Sequence, residues 1–177
     1  MKKYLILAAI GFAFSLPSCT GTSTDKEVAK ASLNATENNA SIGTAKFYSL
    51  ADGKMKMDLE IDFAAKADST VAVHFHEHGD CGNMGENAHG HWNPTNEPHG
   101  KWGSANYHSG DIGNIKLDDK GKATLSVTTD RWNITEGDMK NIIGRGIIVH
   151  GGTDDYTTQP TGNSGPRVGC GVIVAAE

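Results

Sequence analysis

Seven of the chain's eight histidines fall between Val71 and Asp111: His74, His76, His78, His89, His91, His99 and His108. The eighth is His150. Imidazole is the commonest metal-binding side chain, and a cluster this dense, with Cys81 and Asp111 inside it, asks for a metal ion. His74 and His76 form the sharpest pair. Val71, Val73 and Phe75 alternate with them, which is the two-residue period of a strand. The apolar set then faces a core, and both imidazoles share the outer face with Cα atoms about 6.5–7 Å apart. A solvated outer face can carry the same H-x-H pattern, so the pair needs partners. The stretch that follows has turn chemistry at Gly79-Asp80, at His91-Trp92-Asn93-Pro94 and at Gly100, and reads as a long ordered loop. It delivers His91, His99, His108 and Asp111. A loop that holds metal ligands can be ordered by the metal itself.

The elements that must hold these residues read as strands. Residues 27–36 alternate weakly, and 41–50 form a second strand. Ala51-Asp52-Gly53 signals a hairpin. Residues 54–63 alternate without a fault, with Met55, Met57, Leu59, Ile61 and Phe63 on one side. A turn at 65–68 leads to the histidine strand, 70–77. Further strands are expected at 112–117, 122–128, 146–150 and 168–175. The connection 130–141 carries Trp132 and Met139, both expected to cap one end of the core. A second polar loop occupies 151–166. The pattern predicts an all-β fold, an eight-stranded flattened Greek-key barrel or sandwich with two long functional loops.

Six motifs in fixed order carry a resemblance: HFHEHGDC (74–81), HWNP (91–94), EPHG (97–100), HSGDIGNI (108–115), GRGIIVH (144–150) with Asp154 four residues on, and GPRVGCGVIV (165–174). Together they resemble the copper/zinc superoxide dismutases over nearly all of residues 27–177. The resemblance implies disproportionation of superoxide to dioxygen and hydrogen peroxide through a copper redox cycle. It implies copper on His74, His76, His91 and His150, and zinc on His91, His99, His108 and Asp111. Four imidazoles suit copper(II), and three nitrogens with one oxygen suit a closed zinc site. His91 would bridge the two ions as an imidazolate. Asp154 would join His74 to His99, and Arg167 would hold the anionic substrate through a permanently charged fork of donors. His78 and His89 match no role in the family and are expected to face solvent. The competing reading is a non-catalytic copper- or zinc-binding protein, or a copper carrier. Intact ligand positions and Arg167 favour the enzyme. One departure stands out: the loop before Arg167 has no Lys or Arg. Many family members carry a lysine there, where this chain has Pro160. Members of the family include monomers and dimers built on different surfaces, so a homodimer is compatible with the resemblance.

The N-terminus reads as a targeting segment. Lys2 and Lys3 precede an apolar run, and Leu16-Pro17-Ser18-Cys19 has the form of a bacterial lipoprotein signal. Residues 1–18 would be removed, Cys19 lipidated, and 19–26 would tether a domain spanning 27–177. An ordinary secretory signal that happens to contain a Cys is the alternative. The chain would be exported and anchored to a bacterial membrane, periplasmic or at the cell surface. Loss of Lys2 and Lys3 takes the net charge from −5 to −7. No basic patch is interleaved with aromatics, which argues against nucleic acid as a partner. With Cys19 assigned to lipid, Cys81 and Cys170 remain in an oxidising setting, and the resemblance implies that these two pair.

Overall fold

The computed structural model describes residues 25–177. The expected signal segment, Cys19 and most of the tether lie outside the described residues. Nine strands follow in order: β1 Lys26–Ala35, β2 Ser41–Ser49, β3 Met55–Asp62, β4 Thr70–His76, β5 Asp111–Lys116, β6 Lys122–Thr129, β7 Gly146–His150, β8 Arg167–Val172 and β9 Val174–Ala175. The expected last strand is split at Ile173 into β8 and the short β9, which pairs with β1. Asp111 and Arg167 open β5 and β8 rather than ending the preceding loops.

The order across the sheet is β5-β4-β7-β8-β1-β2-β3-β6. The hairpin-linked β1, β2 and β3 sit side by side, while β3 pairs with β6 and β4 with β7. Those two skipped pairings make the Greek key. The outer members, β5 and β6, approach one another, so eight antiparallel strands form a nearly closed barrel.

Alternation puts the core where the sequence places it. Met55, Met57, Leu59 and Ile61 of β3 are buried, with exposed or half-buried residues between them. Phe47, Phe75 and Trp132 fill the centre in edge-on and tilted pairs, with centroids 4.9 to 6.2 Å apart. Removing a side chain such as Phe75 there would cost about 3–5 kcal/mol. Trp132 does close the core, and its indole N–H donates to the Ser109 carbonyl at 2.8 Å. Met139 does not; it is 59% exposed. The connection bends away once Trp132 is seated.

Candidate metal centre

β4 is where the fold and the site meet. It is buried on both faces. Val71, Val73 and Phe75 point into the barrel, while His74 and His76 point out of it but not into water, being 0% and 1% exposed. The two long loops fold over that outer face. The ladder fixes the third imidazole: Ala72 pairs with His150, and His74 with Ile148. An isolated bridge continues β4 onto the loop, pairing His76 with His91.

His74, His76, His91 and His150 present ring nitrogens within 4.8 Å of one another, and so do the ligand atoms of His91, His99, His108 and Asp111. His91 belongs to both groups. All seven residues are buried. The structure brings together every residue for which the sequence suggested metal binding.

Polar atoms buried without partners test whether these groups fit ions. His74 Nδ1, His91 Nε2, His99 Nδ1 and His108 Nδ1 have no hydrogen-bond partner. An unsatisfied buried polar atom is costly, and two such atoms in each group call for a partner that the protein does not supply. His99 Nδ1 and His108 Nδ1 lie 3.0 and 3.2 Å from Asp111 oxygens without the alignment of hydrogen bonds. Their lone pairs and the carboxylate surround one point, as they would around a cation. The donor sets agree: four imidazoles in one group, three imidazoles and a carboxylate in the other.

The other ring atoms are held in place. His74 Nε2 and His99 Nε2 face the two oxygens of Asp154 at 2.8 and 2.9 Å. Asp154 is itself fixed by Asn114, whose side chain pairs with its backbone N–H and carbonyl. His76 Nδ1 donates to the His89 carbonyl at 2.8 Å, and His150 Nδ1 lies 3.2 Å from the Gly165 carbonyl. Such partners set which ring nitrogen remains free for a metal. Asp111 accepts from the backbone N–H groups of Gly100 and His108 at 3.1 and 2.8 Å.

The two groups differ in charge. Burial pushes His76 down to about 2 and His150 down to about 3, so both stay neutral. Burial also lowers His91, to about 4, against the pull of Asp111. His74 is lowered by burial although Asp154 favours its protonated form. Burial acts on His99 in the same sense, but the carboxylates of Asp111 and Asp154 on either side outweigh it and push it up to about 9. Burial would raise Asp111, yet the imidazoles of His108, His91 and His99 crowded against its oxygens hold it far below the usual carboxylate range.

Beside the histidines a cavity of about 340 Å3 opens to solvent, lined by His76, His91, His150, Glu86, Asn163 and Arg167 among others. Arg167 donates to the carbonyls of Gly85 and His89 at 2.6 and 2.7 Å, and its Nε lies 3.5 Å from a Glu86 oxygen.

Several supporting residues escaped the sequence reading. A Cβ at Gly162 would fall 1.9 Å from Asp154 and 2.6 Å from His99 Nε2, so only glycine lets that bridge close. Gln159 clamps the His99 backbone through its N–H and carbonyl, both at 2.9 Å. Arg131 braces the loop through Glu97 and the Tyr107 carbonyl. Each is an ordinary loop residue in one dimension; only contacts made in the folded chain give it a role. The disulfide is present, Cys81 to Cys170, closing a separation of 89 residues. His78 and His89 are exposed as expected.

The chain matches the copper/zinc superoxide dismutase family over residues 41–173. It is 36% identical over 107 residues to "Superoxide dismutase [Cu-Zn] 2" of Aquifex aeolicus, covering 58% of this chain and 63% of that relative. It is 42% identical over 106 residues to a Cu-Zn superoxide dismutase of Candida glabrata, covering 56% and 68%. A crystal structure of a SOD-like protein from Bacillus subtilis superposes with a TM-score of 0.71 at 26% identity, covering 81% of this chain and 96% of that one.

Proposed function

Because the chain belongs to the copper/zinc superoxide dismutase family, we propose that it converts two superoxide ions and two protons into dioxygen and hydrogen peroxide. One observation carries this reading. Two four-residue ligand groups share His91, and the cavity lined by His76, His91 and His150 is lined by Arg167 as well. His74, His76, His150 and His91 would hold copper; His91, His99, His108 and Asp111 would hold zinc. Copper bound there would accept an electron from one superoxide and return it to another, while zinc would fix His91.

The chain's own residues supply the rest. Arg167 is pinned by two carbonyls, so its charge sits at a fixed place at the cavity wall and orients a small anion without titrating away. His91 Nε2 is buried beside the cavity with no partner. It is the ring atom suited to carry the proton that peroxide formation needs. Steering is weak by design of charge: residues 151–166 have no Lys or Arg, and Glu86 stands beside Arg167. Field-driven capture of an anion then rests mainly on the metal and Arg167, and the rate should be less sensitive to salt than in relatives with a lysine in that loop.

The test is dismutation by the chain loaded with copper and zinc, beside His150→Ala and Arg167→Ala. Activity should vanish with the first and fall about tenfold or more with the second. Stoichiometric copper with no dismutation would favour the carrier reading instead. Lipidation of Cys19, export, and a homodimer belong to this proposal as well. The N-terminal sequence supports the first two, and incorporation of a labelled fatty acid that Cys19→Ser abolishes would test them.

A further inference from the structure

A third group of metal-binding side chains lies outside the buried centre. Glu77, His78 and His89 are exposed, and their ligand atoms lie within 4.8 Å of one another. The two imidazoles meet edge to face, with centroids 4.7 Å apart and an interplanar angle of 88°. This is not a chance approach of two mobile side chains. Beyond the end of β4, Glu77 N–H donates to the Gly90 carbonyl at 3.0 Å and His78 N–H to the Ala88 carbonyl at 3.2 Å. The backbone pairing of β4 with the loop therefore continues past His76 and sets His78 opposite His89. Arg145 holds the Glu77 carbonyl at 2.7 Å. The His89 carbonyl is fixed by His76 and Arg167. Its backbone stands at φ 61°, ψ −141°, a conformation that glycine adopts readily and other residues resist. An imidazole kept at a glycine-type position, facing a second imidazole and a carboxylate, has a donor set in search of an ion.

We propose that Glu77, His78 and His89 form a surface site for copper(II), separate from the two buried groups. Two imidazole nitrogens and one carboxylate oxygen, with water completing a tetragonal shell, suit copper(II), and among divalent first-row ions copper binds such sets most tightly. The site is open to solvent, and two of its residues directly follow His76. It is therefore placed to take copper from solution beside the group that would hold copper inside. The site does not depend on dismutase activity.

The experiment is a copper(II) titration of the chain after loading with copper and zinc, followed by bound-metal analysis and electron paramagnetic resonance. Wild type should take up one more copper(II) than either His78→Ala or His89→Gly, with an axial nitrogen-ligated signal that both variants lose. His89→Gly relieves the backbone and leaves the carbonyl in place, so its fold is protected. Glu86→Gln, a nearby acidic substitution outside the trio, should keep the extra copper. Equal copper content in wild type and both variants would overturn the proposal. Displacement of the extra copper by equimolar zinc(II) would overturn its assignment to copper. Because the readout is a difference between variants, it holds whether or not the buried centre proves to be a dismutase.

Discussion

The two halves of the buried centre solve one problem by different means. The half formed by His74, His76 and His150 is set by the sheet: all three stand on β4 and β7, whose ladder dictates their spacing. Its imidazoles are neutral, and it contains no carboxylate. The half formed by His99, His108 and Asp111 is set by charge. His99 and His108 come from the loop, and Asp111 gathers them, together with two backbone N–H groups, around one anion. A ladder holds its geometry with or without an ion. A loop wrapped round a carboxylate depends on that carboxylate. The strand-built half is thus preformed, and the loop-built half should be the one whose folding and metal binding are coupled.

Asp111→Asn should test the contrast most severely. It removes the charge that pairs with His99, and breaking a buried pair of this kind costs about 3–5 kcal/mol. Zinc binding should be lost with it. His150→Ala should cost the metal-free chain only about 1 kcal/mol and leave zinc binding intact. Denaturant unfolding and a zinc chelator competition measure both; equal losses in the two variants would end the distinction.

Asp154 touches both halves, through His74 and His99. Asp154→Asn should weaken copper and zinc binding together, by about 10–100-fold each. A loss confined to one metal would mean that the bridge serves one half only.

The smallest effect concerns protons. His99 is raised to about 9, so at pH 7 the metal-free chain holds a proton there, whereas His76 and His150, at about 2 and 3, hold none. Loading zinc alone at pH 7 should release about one proton, and loading copper alone should release none. Calorimetry in buffers of different ionisation enthalpy reads this directly. The same shifts bend stability. His99 stabilises fully below its ordinary value near 6.5, and that contribution fades as pH rises through 9. His76 and His150 contribute fully above 6.5, and theirs fades as pH falls toward 3 and 2. The metal-free chain should be most stable near pH 6.5. A profile flat from pH 5 to 9 would contradict the assignment of charge to one half.

The strand-built half was also the more legible in sequence. H-x-H in an alternating run names the face of His74 and His76; His150 came only from the resemblance, and the ladder register then sets it beside them. The loop-built half needed the resemblance, because no period links His99, His108 and Asp111. What stayed hidden has a common physical cause. Gly162, Gln159 and the pairing of His78 with His89 depend on how a loop returns to the sheet, and local sequence does not encode the return. Alternation assigned His74 and His76 to the outer face correctly, but it could not foresee that two loops would cover that face and turn a surface into an interior. Met139 erred the other way, an apolar residue with no strand to seat it.

The Cys81–Cys170 link makes a covalent ring of the stretch between them. His91, His99, His108, Asp111, His150, Asp154 and Arg167 all lie inside the ring, and only His74 and His76 lie outside it. A single proteolytic cut in either long loop, between Cys81 and Cys170, would open the ring without dividing the chain. The nicked protein would remain one molecule until a reductant reached the disulfide, and would run as two fragments only after reduction.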